Sequence, residues 1–389
     1  MKPPVYLDHA ATTPVRSEVL EAMMPYLTHQ SFGNPSSAHR FGRAARAGIE
    51  QARRQIAESL GAEPGQVIFT SGGTEADNLS IVGAALAARD RGAPMCAAVS
   101  AIEHKAVLAA VHHAARDGVS ERMLDVTRAG IVDTTSLDRV IDDTVAVCTV
   151  MWVNNEIGTI QPIAEITERV KAHGGIMHTD AVQAFGKTEV DVRKVPLDLL
   201  TISGHKIGAP KGVGAVFIRR GTPIDPMLHG GSQDRGRRPG TENVAAAVAL
   251  ARAAELAIEE RDAECTRLAT LRDTLEAGLL ARIPDAVIHG HGTPRASHIL
   301  NISVPGTDSE SLLMALDLAG VAASAGSACQ SGSVTPSHVL TAMGVRPELA
   351  VAAIRMSLGS LTTPEDVARV VELFPALIAK ARRLSGMAS

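Results

Sequence analysis

The sequence predicts an α/β protein with a large, mostly parallel sheet and a second, smaller α+β domain. Short apolar segments alternate with longer helix-like segments up to Arg219, and this β-α alternation is typical of a parallel sheet with helices on both faces. A shorter α+β pattern runs from about Val287 to the end of the chain. The length of 389 residues also favours two domains, because it exceeds what one ordinary core accommodates.

The large domain is expected to begin with two helices and to continue as alternating strands and helices. The first helix is predicted over Ser17–Leu27 and the second over residues 38–60, with Ser37 as its N-cap. The predicted strands are Gln66–Thr70, Met95–Ser100, Arg122–Val126, Val145–Trp152, Ile176–Thr179, Leu197–Ser203 and Gly214–Arg219. The predicted helices between them are Thr74–Arg89, His104–Arg116, Thr135–Asp142 and Ile163–His173.

One long helix, dense in Ala, Glu, Arg and Leu, is predicted over residues 242–281, and its length suggests a link between the domains. A C-terminal helix is predicted to begin at Pro364, where a proline and two acidic residues suit a first turn. We place the large domain at residues 16–260 and the small domain at residues 1–15 together with 261–389.

The composition excludes several classes of function. Apolar residues make up 45% of the chain, charged residues 21%, and the net charge is −4, so neither nucleic acid nor an anionic membrane is an expected direct partner. No apolar segment is long enough to span a bilayer, and the N-terminus has no signal-peptide core. The expected compartment is therefore the cytoplasm.

Four cysteines are present, and none forms a Cys-x-x-Cys pair, which argues against a zinc or thioredoxin-like site. Cys96 and Cys148 lie in apolar runs and Cys265 in a helical stretch, so all three are expected to be structural. Cys329 lies among small and polar residues, which favours an accessible thiol. An incidental loop cysteine is the alternative.

Several polar segments follow predicted strands. Gly72 and Gly73 join a strand to a helix, next to Thr74, in a turn that suits a phosphate, although it is neither a GxGxxG motif nor a P-loop. A simple turn is the alternative. His104 follows a second strand, and it is either a surface histidine or a ring that stacks on a planar cofactor. Asn155 follows a third strand, as a turn former or as a ligand donor.

The two remaining strand ends carry charge. Asp180 is either a helix cap or the partner of a buried cationic nitrogen, and Gln183 follows it three residues later. Lys206, in Ser-Gly-His-Lys, precedes a Gly- and Pro-rich segment, as a surface lysine or as an amine at the ligand-binding edge of the sheet. A lysine for a Schiff base, a carboxylate for a ring nitrogen and a turn for a phosphate are together what pyridoxal phosphate requires.

Two further segments leave alternatives open. The basic, glycine-rich segment from Gly230 to Glu242 is either a solvated linker or a loop that brings Thr241 to a phosphate, across a dimer interface. Arg355 lies within an apolar strand, and a buried arginine requires a carboxylate partner. That partner is either a structural Asp or Glu or the carboxylate of a substrate.

The chain resembles the cysteine desulfurases, which are pyridoxal-phosphate enzymes of the class V aminotransferase group. The resemblance runs from Tyr6 almost to the C-terminus. Its motifs are Tyr6–Thr13, Asn34–Ser37, Thr70–Glu75, Asn154–Gly158, Ser203–Lys206 and Gly326–Cys329. It implies the aspartate aminotransferase-like fold, with a large, mostly parallel seven-stranded sheet domain that binds the cofactor. The serine-rich segment after Cys329 is similar to that of the subgroup with a long catalytic-cysteine loop.

The resemblance also implies roles for the residues. Lys206 carries the cofactor as an internal aldimine and shuttles protons, and Cys329 is the nucleophile. His104 is also catalytic, and it holds the cofactor ring together with Asp180 and Gln183. The phosphate is held by Thr74, Ser203 and His205, with Thr241 of the other subunit of a homodimer. Gly73 and Asn155 also bind the cofactor, and the substrate is held by Asn34, Asn155 and Arg355.

The implied reaction converts L-cysteine to L-alanine and leaves a persulfide on Cys329. The sulfur acceptor would be an iron–sulfur scaffold or a tRNA-thiolation protein, and Cys329 would be the one candidate ligand of a transient iron–sulfur cluster. The chain stops at Ser389, so the extended tail that some members use to dock a scaffold is expected to be missing. A selenocysteine lyase or a small-amino-acid aminotransferase is the alternative; a non-catalytic partner protein is disfavoured because Lys206, Asp180 and His104 are all present.

Overall fold

The structure is a computed structural model that describes residues 3–92, 95–325 and 336–384. Its strands are β1 (Val5–Tyr6), β2 (Val67–Thr70), β3 (Cys96–Ser100), β4 (Ser120–Leu124), β5 (Val145–Thr149), β6 (Ile176–Asp180), β7 (Leu199–Ser203), β8 (Gly214–Ile218), β9 (Val287–Ile288), β10 (Ile299–Ser303), β11 (Val321–Ala322) and β12 (Ala353–Ser357). Its helices are α1 (Ser17–Leu27), α2 (Arg40–Leu60), α3 (Gly73–Asp90), α4 (Lys105–Ala115), α5 (Thr134–Val140), α6 (Ile163–Ala172), α7 (Val244–Glu259), α8 (Arg261–Arg282), α9 (Ser309–Leu318), α10 (His338–Ala342), α11 (Pro347–Ala350) and α12 (Pro364–Leu384).

The predicted α/β fold with a large seven-stranded sheet is confirmed. The strand order is β2-β8-β7-β6-β5-β3-β4, and every pair is parallel except the two that include β8. Because β8 is antiparallel to both of its neighbours, β2 runs in the same direction as β7. The carboxyl ends of β2, β3, β5, β6 and β7 therefore meet at one edge of the sheet, where open α/β sheets bind ligands.

The sheet is covered on both faces, as its short apolar strands require. One core packs α2, α6 and α7 against the sheet, and the other packs α3 and α4 against the opposite face. A separate core is formed by β1, α8, β10, α9, β12 and α12. The chain's N-terminal strand thus packs with the C-terminal elements, and the division into residues 16–260 and the remainder stays a prediction.

Three local predictions were wrong. The single helix over residues 242–281 is two helices, α7 and α8, which meet at Glu260; both carboxylate oxygens of Glu260 accept hydrogen bonds from Arg16, at 2.7 and 2.8 Å. The N-cap of α2 is His39, whose side chain accepts from the Gly42 N–H, rather than Ser37. Strand β5 ends at Thr149 rather than Trp152, although the N–H groups of Val150 and Trp152 still donate to carbonyls of β6.

The remaining expectations on cysteines and membrane spans were tested only on part of the chain. Cys96 and Cys148 are buried in the core, as predicted, and Cys265 is partly buried with its thiol hydrogen-bonded to the Lys187 carbonyl. Cys329 lies outside the described residues. Within the described ranges, no helix is long and apolar enough to cross a membrane.

Candidate active site

A cavity of about 320 Å³ opens at the carboxyl edge of the large sheet. It brings together ten residues that the sequence singled out: Gly73, Thr74, His104, Asn155, Asp180, Gln183, Ser203, His205, Lys206 and Arg355. They come from the ends of different strands and, for Arg355, from β12 beyond the large sheet. The strand-end reasoning therefore located the cavity correctly.

The turn from β2 to α3 is built for close approach by an anion. Gly72 has φ 154° and ψ −175°, a conformation that is essentially restricted to glycine. It ends the strand and begins α3 at Gly73, so the first N–H groups of this long helix have no intrahelical partner. The Glu75 carboxylate closes the turn by accepting from the Ser71 N–H at 2.8 Å and from Arg238 at 2.9 Å.

Lys206 is an amine held in a partly buried position without a carboxylate contact. Its Nζ donates to the main-chain carbonyls of Ala10 and Ala11, at 2.6 and 2.7 Å. Burial, followed by the positive charges of Arg355 and Lys187, lowers the pKa of Lys206 to about 7, although Asp180 and Asp8 act in the opposite direction. A large fraction of this amine is therefore neutral, and nucleophilic, near neutral pH.

Asp180 is buried at the end of β6, with 5% of its surface exposed. Its Oδ1 accepts a hydrogen bond from the Val182 N–H at 2.8 Å, so it makes a local turn contact as well as lining the cavity. Burial raises the pKa of Asp180, whereas His104, that hydrogen bond and Lys206 lower it. A cationic ring nitrogen would supply the opposite charge that this carboxyl group otherwise lacks.

His104 caps helix α4 from the cavity wall. Its Nδ1 accepts from the Ala106 N–H at 3.2 Å, so the neutral ring carries its hydrogen on Nε2. Burial lowers the pKa of His104, and Asp180 raises it. An uncharged imidazole in this position can stack on a flat ring without adding a second positive charge beside Lys206.

Arg355 has the structural carboxylate partner that the sequence left open. Its guanidinium contacts the Asp8 carboxylate at 2.8 Å and donates to the Asn155 carbonyl at 2.9 Å. Its Nε is buried without a hydrogen-bond partner. Arg355 is thus fixed from two sides and still has donor capacity at the cavity wall.

Gln183 is oriented by contacts on both ends of its amide. Its Nε2 donates to the Ala10 carbonyl at 2.9 Å, and its Oε1 lies 3.2 Å from Nε2 of the buried His298. His298 therefore donates to this oxygen. The amide nitrogen carries two hydrogens and contacts one carbonyl, so its second N–H remains available to the cavity that Gln183 lines.

Two of the predicted residues, Asn34 and Thr241, do not line the cavity. Asn34 is exposed, and its side-chain oxygen accepts from the Ser36 N–H at 2.9 Å. Thr241 is also exposed and lies outside this cavity. Cys329 lies outside the described residues, as stated above. The roles predicted for these three residues stay predictions.

The cavity also contains residues that sequence reasoning missed. Asp77, Lys105, Met151, Glu156, Val182, Ser324 and His338 line it, as do Ala10 and Ala11. Asp77 was detectable, because it follows Thr74 by three residues and so lies on the same face of α3. The contribution of Ala10 and Ala11 was not detectable, since their main-chain carbonyls leave no signal in the residue type.

The comparisons with known proteins agree with this geometry. The family model described as aminotransferase class-V matches residues 5–370. A curated relative, the cysteine desulfurase IscS of Methanosarcina thermophila, is 47% identical over 98% of this chain and 93% of its own length. The chain therefore belongs to the cysteine desulfurases of the class V aminotransferase family.

Two solved structures extend the comparison within this family. A NifS-like protein superposes with a TM-score of 0.90, at 34% identity over 97% of this chain and 100% of its own. A structure described as SspA in complex with cysteine superposes with a TM-score of 0.80, at 33% identity over 91% of this chain and 98% of its own.

Members of the family depend on pyridoxal phosphate, and the residues at the cavity fit that cofactor. The chain offers an amine of lowered pKa at Lys206, a buried carboxyl group at Asp180 and free N–H groups at the start of α3. These groups match the aldehyde, ring nitrogen and phosphate of the cofactor respectively. By contrast, no cluster of three or more metal-ligating side chains occurs in the described ranges.

We predict that the cofactor-free protein takes up pyridoxal phosphate faster as the pH rises, with a midpoint near the lowered pKa of Lys206, about 7. The reason is that only the neutral amine attacks the aldehyde, and its fraction grows as the pH rises through that pKa. The measurement is the rate of the cofactor absorbance change between pH 5.5 and 9.5.

Two controls make this result specific. In the first, Lys206→Ala removes the absorbance change at every pH. In the second, pyridoxal replaces pyridoxal phosphate; because it has no phosphate group, its pH dependence reports the amine and not the phosphate. A rate that stays low up to about pH 8.5 and is still rising at the upper end of the range, as the usual lysine pKa of about 10.4 requires, would contradict the electrostatic account of this amine.

Proposed function

We propose that this chain is a homodimeric cysteine desulfurase, which converts L-cysteine to L-alanine and leaves the sulfur on Cys329 as a persulfide. The observation that carries the proposal is the placement of Lys206, Asp180 and Arg355 around one cavity. Ser324 and His338, which precede and follow residues 326–335, both line it.

The cofactor site uses residues that are already oriented by their neighbours. Lys206 binds the aldehyde carbon, Asp180 holds the proton on the ring nitrogen, and Gln183 donates to the ring hydroxyl. Gly73, Thr74, Ser203 and His205 hold the phosphate. Bound there, pyridoxal phosphate supplies an aldehyde that condenses with amino groups and a ring that accepts electrons.

Arg355 and Asn155 orient the substrate. A guanidinium binds a carboxylate through two parallel N–H groups, and Arg355 is held rigid for this task by Asp8 and the Asn155 carbonyl. Lys206 lines the same cavity as Arg355, so its Nζ would take the Cα proton of an amino acid whose carboxylate Arg355 holds. Asn34 is assigned to the same substrate carboxylate.

Cys329 completes the sulfur transfer as a thiolate. It attacks the sulfur of L-cysteine, so that an S–S bond forms and the bond between that sulfur and Cβ breaks. The electron pair of the broken bond stays with the carbon side, and a proton converts Cβ to the methyl group of L-alanine. Sulfur is oxidised and carbon is reduced in equal measure, so the step needs no outside oxidant. The persulfide then passes its sulfur to an acceptor thiol.

We predict that Cys329→Ala abolishes alanine formation from L-cysteine, by about 10³-fold or more, since the variant lacks the nucleophile. Its cofactor absorbance and affinity stay unchanged, because Lys206 and its neighbours are untouched. Cys265→Ala is the matched control, as it removes a thiol outside the cavity. Alanine formation at the parent rate by Cys329→Ala would disprove the assignment of the nucleophile.

The homodimer is supported by an apolar surface on α1 and the segment that follows it. Leu20, Met24 and Leu27 are exposed at helical spacing on one side of α1. Phe32 and Phe41 are exposed as well, and their rings lie in contact, with centroids 5.4 Å apart. Large exposed apolar side chains that cluster in this way are typical of protein–protein interfaces.

The loop that carries Thr241 is fixed in a way that suits a role across this interface. Asp234 and Arg235 have φ angles of 45° and 62°, which cost energy for residues other than glycine. The buried ion pair between Arg53 and Asp234, at 2.8 Å, holds this conformation in place. Ser36, which lies between Phe32 and Phe41 in sequence, lines the same cleft as Asp234. Thr241 is exposed, and we assign it to the cofactor phosphate of the partner subunit.

We predict that wild-type protein has twice the monomer mass in solution and that Leu20→Glu combined with Leu27→Glu yields monomers. Burying the two introduced carboxylates in an apolar interface costs more free energy than burying the two leucine side chains contributes to dimer stability. The measurement is light scattering after size-exclusion chromatography. Leu318→Glu is the matched control, because Leu318 is exposed on α9 of the other core. A dimer that survives the double substitution would place the interface elsewhere.

A further inference from the structure

A second acidic side chain, Asp77, lies at the cavity wall beside Asp180. It is 1% exposed, and its Oδ1 is buried without a hydrogen-bond partner. The nearest basic group is Nε2 of His178, at 3.7 Å. His178 and Asp180 are two residues apart on β6 and therefore lie on the same face of the sheet. The roles proposed above make no use of Asp77.

A chain of hydrogen-bonding side chains leads to Asp77. His178 Nδ1 lies 2.8 Å from the Thr149 hydroxyl, and His178 Nε2 lies 3.1 Å from the Thr201 hydroxyl. Thr201 is in turn the hydroxyl group whose hydrogen bonding lowers the pKa of Asp77.

His178 does not supply a positive charge to this chain. It is fully buried, and burial lowers its pKa to about 3, so the ring is neutral at physiological pH. Its neutral form also satisfies both ring nitrogens with the two threonine hydroxyls. Asp77 consequently has no cationic partner among the residues that the structure describes.

A buried carboxyl group without a cation stays protonated. The acidic groups that face Asp77 are Asp180 from β6 and Glu103 from the segment after β3. Burial raises the pKa of Asp77 well above its usual value, both acids raise it further, and only the bond from Thr201 opposes them. Two neighbouring carboxyl groups in a low-dielectric site divide into one protonated and one ionised group.

We propose that Asp77 is a positioning residue for Asp180. It remains a neutral acid that ends the Thr149–His178–Thr201 chain, and it thereby leaves the negative charge on Asp180, which faces the ring nitrogen of the cofactor. The inference rests on the proposed cofactor site. It explains why an acidic residue is tolerated in the cavity wall without an ion-pair partner.

The test compares Asp77→Asn, Asp77→Ala, Thr201→Val and Asp180→Asn as holoenzymes. The readouts are the dissociation constant for pyridoxal phosphate and the pH titration of the bound cofactor's absorbance. Asparagine reproduces a neutral acid and still accepts from Thr201, so we expect its titration midpoint within about 0.3 pH unit of wild type. Asp77→Ala and Thr201→Val break the chain, and each is expected to weaken cofactor binding by about tenfold. Asp77→Asn is expected to keep the cofactor affinity that Asp77→Ala loses.

Each remaining outcome has a defined meaning. A midpoint shift of about one unit or more in Asp77→Asn would show that Asp77 carries charge, which overturns the proposal. Wild-type affinity and titration in both Asp77→Ala and Thr201→Val would also overturn it. Asp180→Asn tests the assignment of Asp180 to the ring nitrogen separately. If the cofactor absorbance of this variant titrated as in the wild type, the proposed cofactor site itself would be refuted. Thr201→Val, which changes no charge, keeps the test decisive if Asp77→Ala fails to fold.

Discussion

The rest of the site depends on the burial of the Lys206 amine against main-chain carbonyls instead of a carboxylate. Ala10 and Ala11 accept from Nζ, and both belong to the N-terminal segment that follows β1. A carboxylate in their place would stabilise the charged amine and raise its pKa, whereas neutral carbonyls leave burial as the largest influence, and the pKa falls to about 7. The contact also ties the N-terminal segment to the carboxyl end of β7.

The cavity concentrates groups that would destabilise an ordinary core. Asp77, Glu103 and Asp180 are buried acids, and burial is the largest influence that raises the pKa of each. Buried acids lower the stability of the folded protein, and groups with shifted pKa values are common at functional sites. Cofactor binding would recover part of that stability, because a cationic ring nitrogen supplies the partner that Asp180 lacks.

The sequence predicted the sheet and most of the cavity because both follow from local signals. Short apolar strands identify the sheet, and polar residues directly after them must meet at one edge, which placed Lys206 and Asp180 together. Signals that arise only in the folded chain were missed. The break at Glu260 depends on Arg16, 244 residues away in sequence, and the strained loop at Asp234 depends on Arg53 from α2.

The central claim is that Lys206 is the amine that binds the cofactor, and reductive trapping tests it most directly. Borohydride reduction of the pyridoxal phosphate-loaded protein, followed by peptide mass spectrometry, locates the resulting covalent adduct. The account predicts one modified site, at Lys206. An adduct on Lys105, which also lines the cavity, or on the partly buried Lys187, or no adduct at all, would contradict it.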